Sequence, residues 1–192
     1  MRNAIRGSAA LLSLLCAAVI FSGCDYERYT ILVGDYQLEG IAISDWRDVE
    51  ANGDFIRIQP GGRFAIRSED YTQFLAQFDV VILSGTGVNF YMRTVSHKFD
   101  PSQGILFRYA VDGCMVRTEN GETIPLEFNA DTEEETLKLL CEAEQVEVSV
   151  GCERVYEGAS FLEGTEYVIL EALPDSEIEL RAINYYDIDE LH

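Results

Sequence analysis

Along most of the chain, apolar and polar residues alternate with a period of two. In "QFLAQFDVVILSGTGVNFYMRTVS", Phe74, Ala76, Phe78, Val80 and Ile82 share one face, and Val88, Phe90 and Met92 resume it after Gly85-Thr86-Gly87. Such alternation sets one side of a strand against a core and leaves the other outside. The pattern predicts two adjacent antiparallel strands joined by the glycine turn. "FIRIQPGGRFAIRS" repeats the arrangement, with Phe55 and Ile58 before Pro60-Gly61-Gly62 and Phe64 and Ile66 after it, and reads as a hairpin.

Further along, "GILFRYAV", the Asp112-Gly113 turn and "CMVRT" predict another hairpin; Asn120-Gly121 marks the next turn and "TIPLEF" the next short strand. "DTEEETLKLLCEAEQ" suits a helix through Leu137, Leu140 and Cys141, and a strand through Leu137, Leu139, Cys141 and Ala143. We read it as a strand, because "VEVSVGCERVYEG" behind it alternates cleanly and needs a partner. "TEYVILEAL" and "SEIELRAINYYDI", separated by Pro174-Asp175, close the chain as two more. Roughly ten to twelve short strands without a convincing helix predict an all-β fold, an antiparallel two-sheet sandwich.

The first residues follow a different pattern. Arg2 and Arg6 precede the uncharged apolar run Ala9 to Phe21, which is too short for a comfortable membrane span of about 20 residues. Phe21-Ser22-Gly23-Cys24 then resembles a bacterial lipobox, in which the Cys24 thiol accepts a diacylglyceryl group, with Phe21 in the place of the usual Leu. The expected organisation is a signal peptide over 1–23, a lipid-anchored segment over 24–39 and one sandwich domain over 40–192. Its place is the bacterial cell envelope, lipid-anchored to a membrane and exposed to the periplasm or the exterior.

The formal net charge of -20 argues against a nucleic-acid partner, which needs a basic footprint, and disfavours strongly acidic polysaccharides. Of the five cysteines, Cys16 leaves with the signal and Cys24 is the lipidation site, so Cys114, Cys141 and Cys152 cannot all pair. A hairpin turning at Glu144-Gln145 sets Cys141 against about residue 148, which leaves Cys152 beyond disulfide reach. His97 and His192 are the only histidines, and neither a Cys-x-x-Cys nor a calcium loop occurs. Neither metal nor cofactor is expected.

The span Asp45 to Thr94, "DWRDVEANGDFIRIQPGGRFAIRSEDYTQFLAQFDVVILSGTGVNFYMRT", resembles the opening of the concanavalin A-like jelly rolls, particularly envelope proteins of the 3-keto-disaccharide hydrolase type. "EQVEVSVGCERVYEG" is similar to their late hairpin, with Gly151-Cys152 where Asn-Gly is usual. The resemblance implies a jelly roll and leaves the activity open, because that fold hosts lectins, hydrolases and bare interaction domains.

With the apolar faces inward, Gln77, Asp79, Asn89, Tyr91 and Arg93 are expected on the other face, and neighbouring strands offer Arg67 and Arg108. Amides, charges and an aromatic ring are what a neutral glycan needs: several hydrogen bonds to hydroxyls and a plane over the apolar sugar face. The alternative is an ordinary solvent-facing strand with Asp79–Arg pairs. Glu177 and Glu179 share a face, but Arg181 follows them, so they read as a charged stripe rather than a catalytic pair. His97 reads as a surface loop residue and Trp46 as a core plug. Three functions compete: a lectin-like domain binding a neutral glycan, a noncatalytic scaffold contacting another envelope protein, and a glycosidase-like enzyme.

Overall fold

The computed structural model describes residues 29–31, 41–51, 55–68, 73–94, 100–142, 144–160 and 167–187, with the side chains of 29–31, 41–46, 51, 67–68 and 185–187 outside that description. The expected signal peptide over 1–23, Cys24, His97, His192 and the side chains of Trp46 and Arg67 therefore lie outside the described residues. In chain order the strands are β1 (Tyr29–Ile31), β2 (Ile41–Ala51), β3 (Ile56–Ser68), β4 (Phe74–Ser84), β5 (Gly87–Thr94), β6 (Ile105–Ala110) and β7 (Met115–Arg117). They continue as β8 (Thr123–Pro125), β9 (Glu135–Cys141), β10 (Gln145–Val150), β11 (Glu153–Ala159), β12 (Tyr167–Ala172) and β13 (Glu177–Asp187).

Hydrogen bonds link them in the order β11-β10-β9-β4-β13-β3-β12-β5-β6-β7-β8, with β1 added to β13 and β2 to β3. This sheet folds back on itself. Phe78 of β4 and Phe90 of β5 have ring centroids 5.3 Å apart, yet the two strands share no backbone ladder: β4 lies between β9 and β13, and β5 between β12 and β6. The first layer is thus β11, β10, β9, β4, β13 and the start of β3; the second is the end of β3, then β12, β5, β6, β7 and β8.

The alternation in the sequence is the alternation of burial. Phe74, Ala76, Phe78, Val80 and Ile82 of β4, Val88, Phe90 and Met92 of β5, and Leu137, Leu139 and Cys141 of β9 all enter one core. Phe90 stacks on Phe107 at 6.1 Å, and Phe107 meets Tyr109 at 6.3 Å. With Phe78 they make an aromatic row running from one layer into the other. Rings at such separations add about 0.5–1.5 kcal/mol per pair beyond the area they bury.

Two expectations are corrected here. β4 and β5 are not neighbours, because the chain leaves one layer at Gly85-Thr86-Gly87 and enters the other. Pro60-Gly61-Gly62 is likewise no hairpin turn. β3 runs through it, pairing with β13 at residues 56–58 and with β12 at 63–67, and its hairpin partner is β2, from Ala51↔Ile56 to Ile41↔Ser68. The proline and glycines serve a bend that carries one strand across both layers. Gly61 adopts φ 71, where a side chain strains the backbone, and a Cβ on Gly62 would stand 2.5 Å from the Asp48 carbonyl oxygen, which bars one outright.

The Asp112-Gly113 and Asn120-Gly121 turns join β6 to β7 and β7 to β8, as the pattern predicts, and Gly151-Cys152 joins β10 to β11, as the resemblance implies. Residues 135–141 form strand β9. The β9–β10 register differs from expectation: Glu142 and Gln145 exchange backbone hydrogen bonds, which closes the hairpin earlier and sets Cys141 against Val146. Cys114 and Cys141 are buried free thiols, and Cys152 is an exposed one. Burial pushes the Cys141 thiol up to about 12, so it stays protonated and unreactive.

The two crossings between layers are tied side by side. Ser176 Oγ accepts hydrogen bonds from the backbone N–H groups of Thr86 and Gly87, both at 2.8 Å, and donates to Asp175 at 2.9 Å. Ser176 is fully buried. Ser176→Ala therefore strands two backbone donors, and we expect a loss of about 1–3 kcal/mol, seen as a lower urea midpoint with unchanged slope. An unmoved midpoint would show that the two turns stand independently.

Candidate functional site

The core-facing side of the second layer is apolar; its outer side is where chemistry collects. Cross-strand registry gives one row across that side, Arg47, Arg63, Glu171, Asn89, Arg108 and Met115, from β2, β3, β12, β5, β6 and β7. The next row reads Ala65, Ile169, Tyr91, Leu106 and Arg117. Polar groups in the first row thus border an apolar strip in the second. Ala65, Tyr91, Leu106 and Ile169 form a small cluster of their own, packed with Met115 and Tyr167. β5 is consequently buried on both faces. A strand of that kind is not the ordinary solvent-facing strand offered as the alternative above.

The centre of this face is a hydrogen-bonded triad. Tyr91 donates its hydroxyl to Glu171 Oε2 at 3.0 Å, and Asn89 Nδ2 donates to the same oxygen and to the Tyr91 hydroxyl, each at 3.3 Å. Burial first, and then the negative charge of Glu171, hold the Tyr91 hydroxyl above the ordinary tyrosine range. It remains a donor at any physiological pH, which fixes the Glu171 carboxylate. Asn89 is 9% exposed, and its Oδ1 is buried without a hydrogen-bond partner. Beside it, Arg108 grips Asp112 through two bonds of 2.9 Å, while its Nε is buried and unpartnered. A buried polar atom left unpaired costs about 1–3 kcal/mol, so each of these calls for a partner, which water or a ligand can supply.

The expected site residues divide. Asn89, Tyr91 and Arg108 come together on this face, and Arg67 holds a register position in β3 opposite Tyr167. Gln77 and Asp79 do not join them. They lie on the outer side of the first layer, where Asp79 accepts from Thr136 at 2.7 Å, in place of the expected arginine, and Gln77 stands between Lys138 and Asn184. The reason is the layer crossing at Gly85-Thr86-Gly87.

Arg93 departs for another reason. β5 carries one residue more between Tyr91 and Thr94 than β12 does between Ile169 and Tyr167, and Arg93 adopts φ 55. Such a bulge re-aims a side chain. Arg93 is 2% exposed, and its charge acts on the core thiol of Cys141. Sequence reasoning also missed two residues. Glu171 was legible as a lone acid in an otherwise apolar alternating strand, and Arg117 as the polar position that ends "CMVRT".

Glu177 and Glu179 are held by cations. Arg57 reaches Glu179 at 3.0 Å and Glu177 at 3.5 Å, and Arg181 reaches Glu179 at 2.9 Å. Burial alone would raise the Glu179 carboxyl, but hydrogen bonds from Arg57 and Arg181 outweigh it and hold the group below the usual range. Among the described residues, no three His, Cys, Asp or Glu side chains are grouped to hold a metal ion. A separate groove of about 580 Å³ opens at the sandwich edge between Leu126, Phe128, Val150 and Val155, with Glu135 and Arg154 at its sides; none of the expected site residues lines it.

No protein-family model matches the sequence, and no curated protein matches it. Solved structures do match in shape. The exoplasmic/lumenal domain of VIP36 in its Ca2+/Man3GlcNAc-bound form superposes with a TM-score of 0.58 at 10% identity, covering 83% of this chain and 88% of that one. The Emp46p carbohydrate recognition domain in its metal-free form gives 0.57 at 9% identity, over 83% and 96% of the two chains. Carbohydrate-binding module CBM66 from Bacillus subtilis gives 0.55 at 16% identity, over 77% and 96%. The fold is an antiparallel jelly roll like that of these structures. At these identities the likeness is one of fold, as the resemblance of Asp45 to Thr94 implies.

Proposed function

We propose that the chain is a glycan-binding domain that uses the outer face of its second layer. The observation that carries this reading is Asn89, nine-tenths buried, with an unpartnered Oδ1 between the Glu171 carboxylate and the Arg108 guanidinium. An acceptor and a donor left open side by side suit sugar hydroxyls, which donate and accept at once. Met115 and Tyr167, partly buried against the small cluster beneath them, offer apolar contact for a ring face. The solved structures of like shape include a VIP36 domain with bound Man3GlcNAc and a carbohydrate-binding module, which supports the same reading.

The scaffold alternative calls for a contiguous exposed apolar patch. Leu83 is the one exposed large hydrophobic residue among those described. A glycan array probed with the full-length protein tests the proposal: retained glycans that are lost on Glu171→Gln support it, and retention unchanged by that substitution would move the site elsewhere.

The same proposal places the domain on a bacterial membrane through a lipid on Cys24, from the basic end, apolar run and Ser-Gly-Cys junction of the sequence. Two-signal or diacyl anchoring holds because each buried methylene contributes about 0.8 kcal/mol. Cys24→Ser is expected to leave unprocessed precursor and no acyl label in metabolic labelling; normal processing in that variant would refute the anchor.

A further inference from the structure

The second row of the outer face ends in a cation that the glycan reading has not used. Arg117 follows Leu106 and Tyr91 across the sheet. At a strand spacing of about 4.8 Å its backbone is about 10 Å from that of Tyr91. Its charge acts on the Tyr91 hydroxyl and also on Asp100. Nη2 of Arg117 is buried without a hydrogen-bond partner, and among the described residues Arg117 makes no ion pair.

Such a group is unexpected in this protein. The chain carries 34 acidic residues against 14 Lys and Arg, and five other arginines are ion-paired: Arg47 with Asp48, Arg57 with Glu177 and Glu179, Arg108 with Asp112, Arg154 with Glu147 and Glu157, Arg181 with Glu134 and Glu179. In a molecule so rich in acids, a half-buried guanidinium with no carboxylate at ion-pair distance among the described residues, Asp100 being bonded to Ser102 and Gln103 instead, leaves room for one from outside. Arg108 is its diagonal neighbour on the same face, one strand away, and its Nε is unpartnered too.

We propose that the glycan bound at this face carries a carboxylate, as in a uronic-acid unit, held by Arg117 and Arg108 while its hydroxyls meet Asn89 and Glu171. This rests on the glycan-binding reading and narrows it. The neutral glycan expected from the net charge supplies hydroxyls but leaves Arg117 unmatched. Glu171 does not oppose the anion, because it sits on β12 at the far side of β5 and β6 from Arg117. One guanidinium pairs a carboxylate through parallel N–H donors of its own, the role assigned to Arg117, while Arg108, already holding Asp112, adds a single donor.

The test uses the full-length protein, purified in mild detergent, on an array of uronic-acid-terminated oligosaccharides and their counterparts bearing a hydroxymethyl group in place of the carboxylate. Retention of the acidic members at least tenfold above their neutral counterparts is expected. Arg117→Gln should erase that preference. Arg154→Gln, an equal change in net charge on the first layer, should leave it in place. Equal retention of both members, or a preference that survives Arg117→Gln, overturns the carboxylate while glycan binding stands. Retention of no member of either kind overturns both.

Discussion

Phe78→Ala is expected to cost about 3–5 kcal/mol, a large part of the 5–15 kcal/mol that holds a domain of this kind together. Phe78 is fully buried. Its cross-strand neighbours Leu137 and Ile183 are fully buried as well, and its ring meets Phe90 of the opposite layer at 5.3 Å. Removing the ring deletes the contact between layers and leaves a cavity whose walls, being strands pinned by ladders on both sides, collapse only partly. Urea unfolding followed by circular dichroism measures it. Leu83→Ala, at a position 41% exposed, should stay within about 0.5 kcal/mol. Equal losses for the two would place the core elsewhere.

Tyr91→Phe is expected to weaken glycan binding by roughly 10- to 100-fold, the equivalent of about 1.5–3 kcal/mol for a hydrogen bond to a charged group. The hydroxyl it removes is the donor that orients Glu171 at 3.0 Å. Without it the carboxylate turns to solvent, and Asn89 loses one of the two acceptors that position its amide. The phenylalanine keeps the ring in the small cluster with Ala65, Leu106 and Ile169. Tyr91→Ala would instead confound binding with packing, because Tyr91 is 3% exposed. Isothermal titration against a glycan retained on the array, with the urea midpoint measured alongside, separates the two effects. Unchanged affinity would remove the triad from the site.

What the sequence makes legible is the strand and its inner face. Phe74 to Ile82 and Val88 to Met92 declare themselves because a period of two is a local property, written in neighbouring residues. Which strand lies beside which is not local. Gly85-Thr86-Gly87 has the composition of a hairpin turn, and nothing in those three residues tells that Ser176, some ninety positions on, takes up their N–H groups and binds the crossing to another crossing. The same gap in knowledge put Gln77 and Asp79 with Asn89 and Tyr91: all four face away from the core, but from opposite layers. Arg93 was lost to a single inserted residue, since one bulge reverses every side chain beyond it. Asn89, Tyr91 and Arg108 share one face, as expected, because β5 and β6 form a true ladder, Asn89 directly opposite Arg108.

The bend of β3 at Pro60-Gly61-Gly62 bears on how the molecule comes apart. One unbroken run of backbone hydrogen-bonds to β13 in the first layer and to β12 in the second, and β2 follows it along both halves. Neither layer can open without tearing at the ladder of the other. The protein should therefore exchange its slowest amide hydrogens as one cooperative unit, with amides of β4 and β5 sharing a single opening free energy rather than two. A sugar held on the outside of β5 would then slow exchange in β4, on the far side of the core, by as much as it slows exchange beneath itself.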